Sequence, residues 1–124
     1  MLDHIGIPVS DVARSKQFFV TALTPLGYKV IYDLGEAVGD GLVGLPDFWF
    51  GRGQPGSSQH MAFSASGGLV DSFYQAAIGA GGRDNGKPGI RAQYHPNYYA
   101  AFVFDPEGNN SEAVCHSPAA KRSR

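Results

Sequence analysis

Three side chains of this sequence can do chemistry that their own segments do not need for folding. Glu112 interrupts an apolar run near the C-terminal end, and His4 and His60 each lie in a small or apolar segment. A buried carboxylate is costly unless it is paired, hydrogen-bonded or bound to a metal ion. Two neutral imidazoles and one carboxylate form a ligand set that holds a divalent metal and leaves positions open for substrate or dioxygen. The alternative is that all three are hydrogen-bonded polar residues with a structural role only.

The residue types suit Fe, Mn, Ni, Co or Zn as the divalent ion and do not choose among them. His95 and His116 have no comparable setting, because one precedes a proline in a loop and the other follows the last strand. Cys115 lies in an apolar run and is interpreted as a small buried hydrophobe rather than a nucleophile.

The segments around the two histidines have the alternating pattern of strands. Residues 2–9 place isoleucine and valine on one face and His4 on the other, and residues 59–65 place His60 opposite Met61 and Phe63. Residues 98–116 predict a hairpin around a turn rich in Asp, Pro, Gly and Asn. Its second strand puts Glu112 on the face opposite Cys115. If the strands share one curved surface, the three polar side chains point into one cavity.

The remaining pattern repeats after about 55 residues, which indicates a duplicated unit. The matching features are His4 and His60, 56 residues apart, Phe18-Phe19 and Phe73-Tyr74, 55 apart, and Gly27 and Gly81, 54 apart. Helices are predicted over 10–23 and 68–78, strands over 28–34, 37–45 and 47–51, and a short strand with a loop over 83–94. We therefore predict an α+β fold of two βαβββ modules, 1–54 and 57–116, in one domain over 1–116 with a tail over 117–124.

Composition narrows the class of partner. The chain has 124 residues, 43% of them hydrophobic, and a net charge of −1, which does not favour nucleic acid or an anionic membrane. The basic run 121–124 is interpreted as a frayed end. No apolar run is long enough for a membrane span, and the first residues lack the pattern of a signal peptide. A single cysteine rules out an internal disulfide and fits a reducing cytoplasm.

Three segments resemble the vicinal oxygen chelate superfamily, which includes glyoxalase I, extradiol dioxygenases, fosfomycin-resistance thiol transferases and bleomycin-resistance proteins. They are residues 2–7, residues 60–63 and the closing hairpin 105–112, whose DPEGNNSE sequence is the most specific. The resemblance covers roughly residues 1 to 116. It implies paired βαβββ modules that form a cupped mixed sheet around a divalent metal, with the helices on the outer face. His4, His60 and Glu112 match the family's ligands in the first, fifth and last strands.

The subfamily is not fixed by this resemblance. Glyoxalase I usually has a fourth ligand, a glutamate in the fourth strand, where this chain has Trp49 as the inward residue. Asp47 is the nearest substitute, at the edge of that strand. The three-ligand pattern is similar to dioxygenases and fosfomycin-resistance enzymes, but the dioxygenases are usually far longer and the potassium loop of the latter is not apparent. Bleomycin-resistance relatives keep the fold without the ligands.

Three residues are candidates for substrate contact, each with a structural alternative. Trp49 is either a pocket wall or core filling, Tyr98 is either a hydrogen-bond donor or aromatic packing, and Arg91 either faces an anionic substrate or lies on the surface. The sequence does not identify a catalytic base, the substrate or the reaction. Two hypotheses remain: a metal-dependent enzyme acting on a small oxygen-chelating molecule, and a protein that sequesters a small molecule without metal. We also predict a homodimer, because such modules pair either within a chain or across two chains.

Overall fold

The computed structural model describes residues 2–42 and 44–117. These residues form eight strands, two α-helices and one 3-10 turn. In chain order the strands and helices are β1 (Ile5–Val9), α1 (Val12–Leu23), β2 (Lys29–Asp33), β3 (Ala37–Gly41), β4 (Phe48–Arg52), β5 (His60–Ser64), α2 (Gly67–Gly79), β6 (Arg83–Ile90), β7 (Tyr99–Phe104) and β8 (Asn110–Cys115).

The eight strands form two sheets with the same topology. The first sheet has the order β1-β4-β3-β2 and the second has β5-β8-β7-β6. In each sheet the opening and closing strands of a module are parallel, and the other pairs are antiparallel. The predicted pair of βαβββ modules is confirmed. The duplication therefore gives His4 and His60 similar places, at or just before the first strand of each module.

Helix α1 forms because its sequence supplies both a cap and an apolar stripe. The Asp11 carboxylate accepts a hydrogen bond from the Arg14 amide at 3.1 Å, which satisfies one free donor of the first turn. Phe19 lies on the buried stripe and packs edge-on against Phe48 of β4, with the ring centroids 4.9 Å apart. A 3-10 turn follows the helix, and Gly27 closes it with a φ of 90°.

Helix-facing side chains of both sheets share one apolar core. Phe48 of the first sheet packs edge-on against Phe63 of the second, at 5.4 Å between centroids, and Tyr28 contacts the same ring at 5.6 Å. The helices α1 and α2 also contact each other. The opposite faces of the sheets are left for the polar side chains, as the alternation predicted.

The turn between β7 and β8 joins the two modules. Asp105 is buried and accepts hydrogen bonds from the amides of Glu107 and Asn109, which fixes the turn. One carboxylate oxygen of Glu107 then accepts from the amides of Ser10 and Asp11 at 3.0 and 3.1 Å, at the start of α1. An anion at a helix N-terminus is favourable because free amides and the helix dipole meet there. This turn therefore has a structural role, since it sets where β8 begins and so where Glu112 lies.

Three details differ from the sequence prediction. β1 begins at Ile5, so His4 precedes the strand instead of lying within it. Pairing starts there because the Ile5 amide bonds to the Asp47 carbonyl, directly before β4. β6 is eight residues long, with register shifts around Gly86 that let a glycine-rich segment stay in the sheet. β3 ends at Gly41, earlier than predicted. The predicted tail lies outside the described residues beyond Ser117.

Asp40 is a buried carboxyl group in the helix-facing layer of the first sheet. It is 1% exposed, and neither carboxylate oxygen has a hydrogen-bond partner among the described residues. Burial raises the pKa of Asp40 to about 6, the negative charge of Asp47 adds to the rise, and the Gly41 amide opposes it. The ionised form therefore costs the fold free energy at neutral pH.

We expect Asp40→Asn to raise the free energy of unfolding at pH 7.5 by about 2 to 3 kcal/mol. The folded pKa lies above the unfolded value of 3.8, so the wild-type chain loses stability as the pH rises from about 4 to 6. The gain should therefore shrink to nothing at pH 4. Urea unfolding of both chains across this pH range measures it.

Asp33→Asn is the matched control, because the Lys16 ammonium and the Gly35 amide hold the pKa of Asp33 below its usual range. That substitution should give no gain at any pH. A variant Asp40→Asn that is no more stable than the wild type at pH 7.5 would contradict the expectation.

Candidate functional site

Glu112 lies on the face of the second sheet that points away from the helices. In the strand register it stands between Ala62 of β5 and Phe102 of β7. The residue is only 1% exposed, so its carboxylate is removed from water although it is on the open face of the sheet. Such a group must be met by donors or by a cation.

His60 meets one oxygen of this carboxylate. Its Nε2 atom is 3.0 Å from Oε1 of Glu112, and its Nδ1 atom is 3.1 Å from the carbonyl oxygen of Asn110. A carbonyl can only accept, so Nδ1 carries a proton. The ring also lies over Phe102, with centroids 6.4 Å apart. Nε2 is therefore the nitrogen that the fold directs at Glu112.

Tyr98 meets the other oxygen. Its hydroxyl donates a hydrogen bond to Oε2 of Glu112 at 2.5 Å, while Tyr94 and His116 pack edge-on against its ring. Burial raises the pKa of Tyr98 to about 12, and the hydrogen bond to Glu112 and the charge of Glu112 add to the rise. The hydroxyl is thus protonated at neutral pH. The ring thus packs against aromatic neighbours and the hydroxyl donates to Glu112, while a hydrogen bond from Tyr98 to a substrate stays a prediction.

His4 lies outside this cluster. Its Nδ1 atom is 2.7 Å from a carboxylate oxygen of Asp3, and the side chain is 58% exposed. It borders two cavities, of about 180 and 440 Å³, and both are also bordered by Asp47. Among residues 2–42 and 44–117, no group of three or more His, Cys, Asp or Glu side chains is placed to hold a metal ion. A single chain therefore brings together two of the three predicted ligands.

Trp49 stands on the same side of the first sheet as His4. Its ring stacks on Tyr32 with centroids 6.1 Å apart and lies over Gly39, where an added Cβ would come within 2.9 Å of the indole. It also borders the 440 Å³ cavity with His4. Trp49 therefore forms a wall beside His4, and Phe48 and Phe50 fill the core instead.

Asp47 is the residue predicted as a possible substitute for a fourth ligand. One of its carboxylate oxygens accepts a hydrogen bond from the Tyr28 hydroxyl at 3.1 Å. The other oxygen is buried and has no hydrogen-bond partner among the described residues.

Arg91 follows β6 and lies on the same face of the second sheet as Glu112. Its guanidinium is over the ring of Phe102, 5.3 Å from the centroid, and donates to the Lys87 carbonyl at 2.8 Å. Phe102 is not among the residues predicted for the site, although it lies on the same face of the hairpin as Tyr98. Hairpin register alone places it beside Glu112.

Comparison with known proteins agrees with this architecture. The family model described as Glyoxalase/Bleomycin resistance protein/Dioxygenase superfamily matches residues 1–113. A glyoxalase/bleomycin resistance protein from Albidiferax ferrireducens T118 is 25% identical, with a TM-score of 0.80 over 94% of this chain and 99% of that chain. No curated protein matches the sequence.

Two further solved structures share the fold at lower identity. The fosfomycin resistance protein FosX from Listeria monocytogenes is 18% identical, with a TM-score of 0.70 over 98% of this chain and 94% of that chain. It was solved as a mutant complexed with Mn(II) and 1S,2S-dihydroxypropylphosphonic acid. A glyoxalase-related enzyme from Fulvimarina pelagi is 16% identical, with a TM-score of 0.69 over 93% of this chain and 87% of that chain.

The bond between Tyr98 and Glu112 gives a testable titration. In metal-free protein, the Tyr98 ring should stay protonated at pH 11, where exposed tyrosines ionise, because its pKa is raised to about 12. Glu112→Gln should lower that pKa, since the carboxylate charge is gone while the burial remains. Carbon NMR of tyrosine-labelled protein measures both. A Tyr98 that titrates near pH 10 in the wild type would show that the bond is not formed.

Proposed function

The chain belongs to the glyoxalase/bleomycin resistance/dioxygenase superfamily, and from that premise we propose that it is a divalent-metal-dependent enzyme acting on a small oxygen-chelating substrate. His4, His60 and Glu112 are the proposed metal ligands. The family includes several reactions, so the proposal names the ligand set and the type of substrate rather than one reaction. A location in the cytoplasm remains a prediction from the single cysteine.

The observation that carries the proposal is the contact between His60 and Glu112. The Asn110 carbonyl holds the proton on Nδ1, so a neutral His60 presents a lone pair to a carboxylate oxygen 3.0 Å away. Two acceptors at this separation need a proton or a cation between them. Two ligand atoms, each about 2.1 Å from one metal ion and at right angles, are about 3 Å apart. The pair therefore fits a divalent ion.

The groups behind the two ligands support the same interpretation. Metal-binding histidines usually donate their second ring N–H to a carbonyl or carboxylate, as His60 does to Asn110. Tyr98 holds the second oxygen of Glu112 and so fixes the orientation of the carboxylate. A bound ion, whether Fe, Mn, Ni, Co or Zn, supplies a Lewis acid for two substrate oxygens and for the negative charge that develops during reaction. Because its hydroxyl already donates to Glu112, Tyr98 acts as a positioning residue.

We propose that His4 reaches the site from a second copy of the chain, in a homodimer. His4 is half-exposed and is not grouped with Glu112 in one chain. The cavity of about 440 Å³ beside it is bordered by Leu42 and Leu45, which are 53% and 77% exposed. An apolar surface next to an unused ligand suits burial against a partner. Trp49 would then contribute a wall to the substrate site.

The second candidate is a metal-free protein that binds a small molecule on the same face. One observation favours it, because an imidazolium form of His60 satisfies Glu112 by a direct ion pair without any metal. Under this alternative the cluster is complete in one chain, and His4 has no role in it.

Metal content separates the two candidates. Protein purified without an affinity tag and dialysed against each divalent ion should hold about one ion per chain, from the ligand set above. His60→Ala and Glu112→Ala should both lose it, and Tyr98→Phe should keep the stoichiometry but bind about tenfold more weakly. Elemental analysis and competition with a chelator measure these values.

His95→Ala is the matched control, since it removes a histidine that bonds the Asn97 amide and does not contact Glu112. It should retain the ion. No uptake by the wild-type chain, or equal uptake by His60→Ala, would rule out the metal site and leave the binding protein.

Mixing two variants that each lack one proposed ligand tests whether the metal site is shared between two chains. His4→Ala and Glu112→Ala each lack a ligand, but a mixed dimer has one complete site if His4 acts across the twofold axis. After the two are refolded together, about one ion per four chains should bind, because half of the dimers are mixed. Each variant alone is the control and should bind none. No recovery in mixtures that contain mixed dimers would rule out a site that His4 completes across the twofold axis.

A further inference from the structure

The second sheet has a positive side chain held beside the His60–Glu112 pair. Arg91 is half-buried, and its backbone amide donates to the Tyr98 carbonyl at 2.7 Å. Residue 98 is the one whose hydroxyl holds Glu112. The position of Arg91 is thus coupled through the backbone to the carboxylate of the proposed metal site.

Two glycines give the guanidinium its place. A Cβ at Gly86 would come within 2.9 Å of Nη2 of Arg91, and one at Gly89 would come within 3.0 Å of Nη1. The space that these side chains would occupy is filled by the guanidinium, which lies over Phe102 and donates to the Lys87 carbonyl. Arginine stacked on an aromatic ring is oriented before any ligand arrives, so less entropy is lost on binding.

The charge of Arg91 is not neutralised by the fold. Within the described part of the chain, Lys16, Arg52 and Lys87 each form an ion pair, whereas Arg91 has no carboxylate within ion-pair distance. Its guanidinium keeps donors that are not used by the Lys87 carbonyl. A half-buried cation with unused N–H donors can bind an anion.

The cavity around Arg91 has the lining that an anion needs. It measures about 280 Å³ and is bordered by Asn85, Gly86, Arg91, Tyr94, Phe102 and Asn110, with no carboxylate among them. Its volume lies just below the usual range for small-molecule sites. The Phe102 ring contacts both Arg91 and His60. A ligand bound to the guanidinium is therefore separated from the proposed metal ligand His60 by the width of the Phe102 ring.

We propose that Arg91 binds an anionic group of the substrate, a carboxylate or a phosphonate, while the chelating oxygens of the same molecule face His60 and Glu112. This inference rests on the proposed function and narrows its substrate class to small oxygen chelators that carry a negative charge. Arg91 is then the residue that determines specificity against neutral molecules of the same shape. The fork of its guanidinium matches the two oxygens of either anionic group.

The test compares three probes of similar size that each carry a vicinal diol for chelation and a separate end group: 3,4-dihydroxybutanoate, its neutral amide, and 2,3-dihydroxypropylphosphonate. Their dissociation constants are measured on Mn-loaded protein by the relaxation of water protons. Arg91→Gln should weaken binding of the carboxylate and the phosphonate at least tenfold and leave binding of the amide and of Mn unchanged. Arg91→Lys keeps the charge but loses the fork, so its loss should be smaller. Whether the wild type binds the carboxylate or the phosphonate more tightly identifies the anionic group.

Arg83→Gln is the matched control. Arg83 also lies over an aromatic ring, that of Phe104, at 5.1 Å from the centroid, and it does not border the cavity. Its replacement removes the same charge from the same sheet and should change no constant more than twofold. Equal losses in the two variants, or equal losses for 3,4-dihydroxybutanoate and its amide in Arg91→Gln, would overturn the role of Arg91.

Failure of the metal site gives a different result. If the wild-type chain binds no Mn, the proposed function fails, and Arg91 is tested in metal-free protein by the NMR signals of its guanidinium nitrogens during titration with 3,4-dihydroxybutanoate. A saturable shift of the Arg91 signals that is absent for the neutral amide supports the anion site. No shift with either the carboxylate or the phosphonate overturns it.

Discussion

Burial of one carboxylate is the constraint on which this site depends. Glu112 is on β8, in the middle of the second sheet, and almost none of its surface reaches water. Tyr98 offsets part of the cost of removing that charge from water by donating to one oxygen, and the contact of His60 with the other oxygen offsets more only with a proton or a cation between them. Neither partner is free to turn away, since the Asn110 carbonyl holds the imidazole and two aromatic rings pack on Tyr98. Each partner of Glu112 is thus oriented by a contact of its own.

Duplication of the βαβββ unit explains why the proposed metal ligands are divided between the two modules. The same strand order recurs in both sheets, so a histidine opens each module at a similar place. The modules share one core through Phe48 and Phe63, and Glu107 fastens the last hairpin to the start of α1. This packing fixes the modules with respect to each other and keeps His4 apart from Glu112. Under the proposed function, a symmetric partner is the simplest source of the third ligand.

Local patterns predicted the elements well, because alternation and capping act over a few residues. The face of Glu112, the face of His60 and the inward position of Trp49 all followed from the period of two. The sequence did not reveal that His4 precedes β1, since this depends on where β4 begins to pair. The sequence also did not predict that the buried carboxyl of Asp40 has no hydrogen-bond partner in the part of the chain that the structure describes, or that the guanidinium of Arg91 fills the space beside Gly86 and Gly89. Those features arise from contacts between segments far apart in the chain, which local periodicity does not encode.

We propose that the His60–Glu112 pair is part of a site for a divalent ion. Anomalous diffraction from crystals grown with Mn tests this proposal without reference to activity, because it locates the ion itself. We expect an anomalous peak in contact with both Nε2 of His60 and Oε1 of Glu112, with the imidazole of a second chain's His4 at the same peak. A direct hydrogen bond between His60 and Glu112, with no anomalous peak beside the pair, would contradict the proposal.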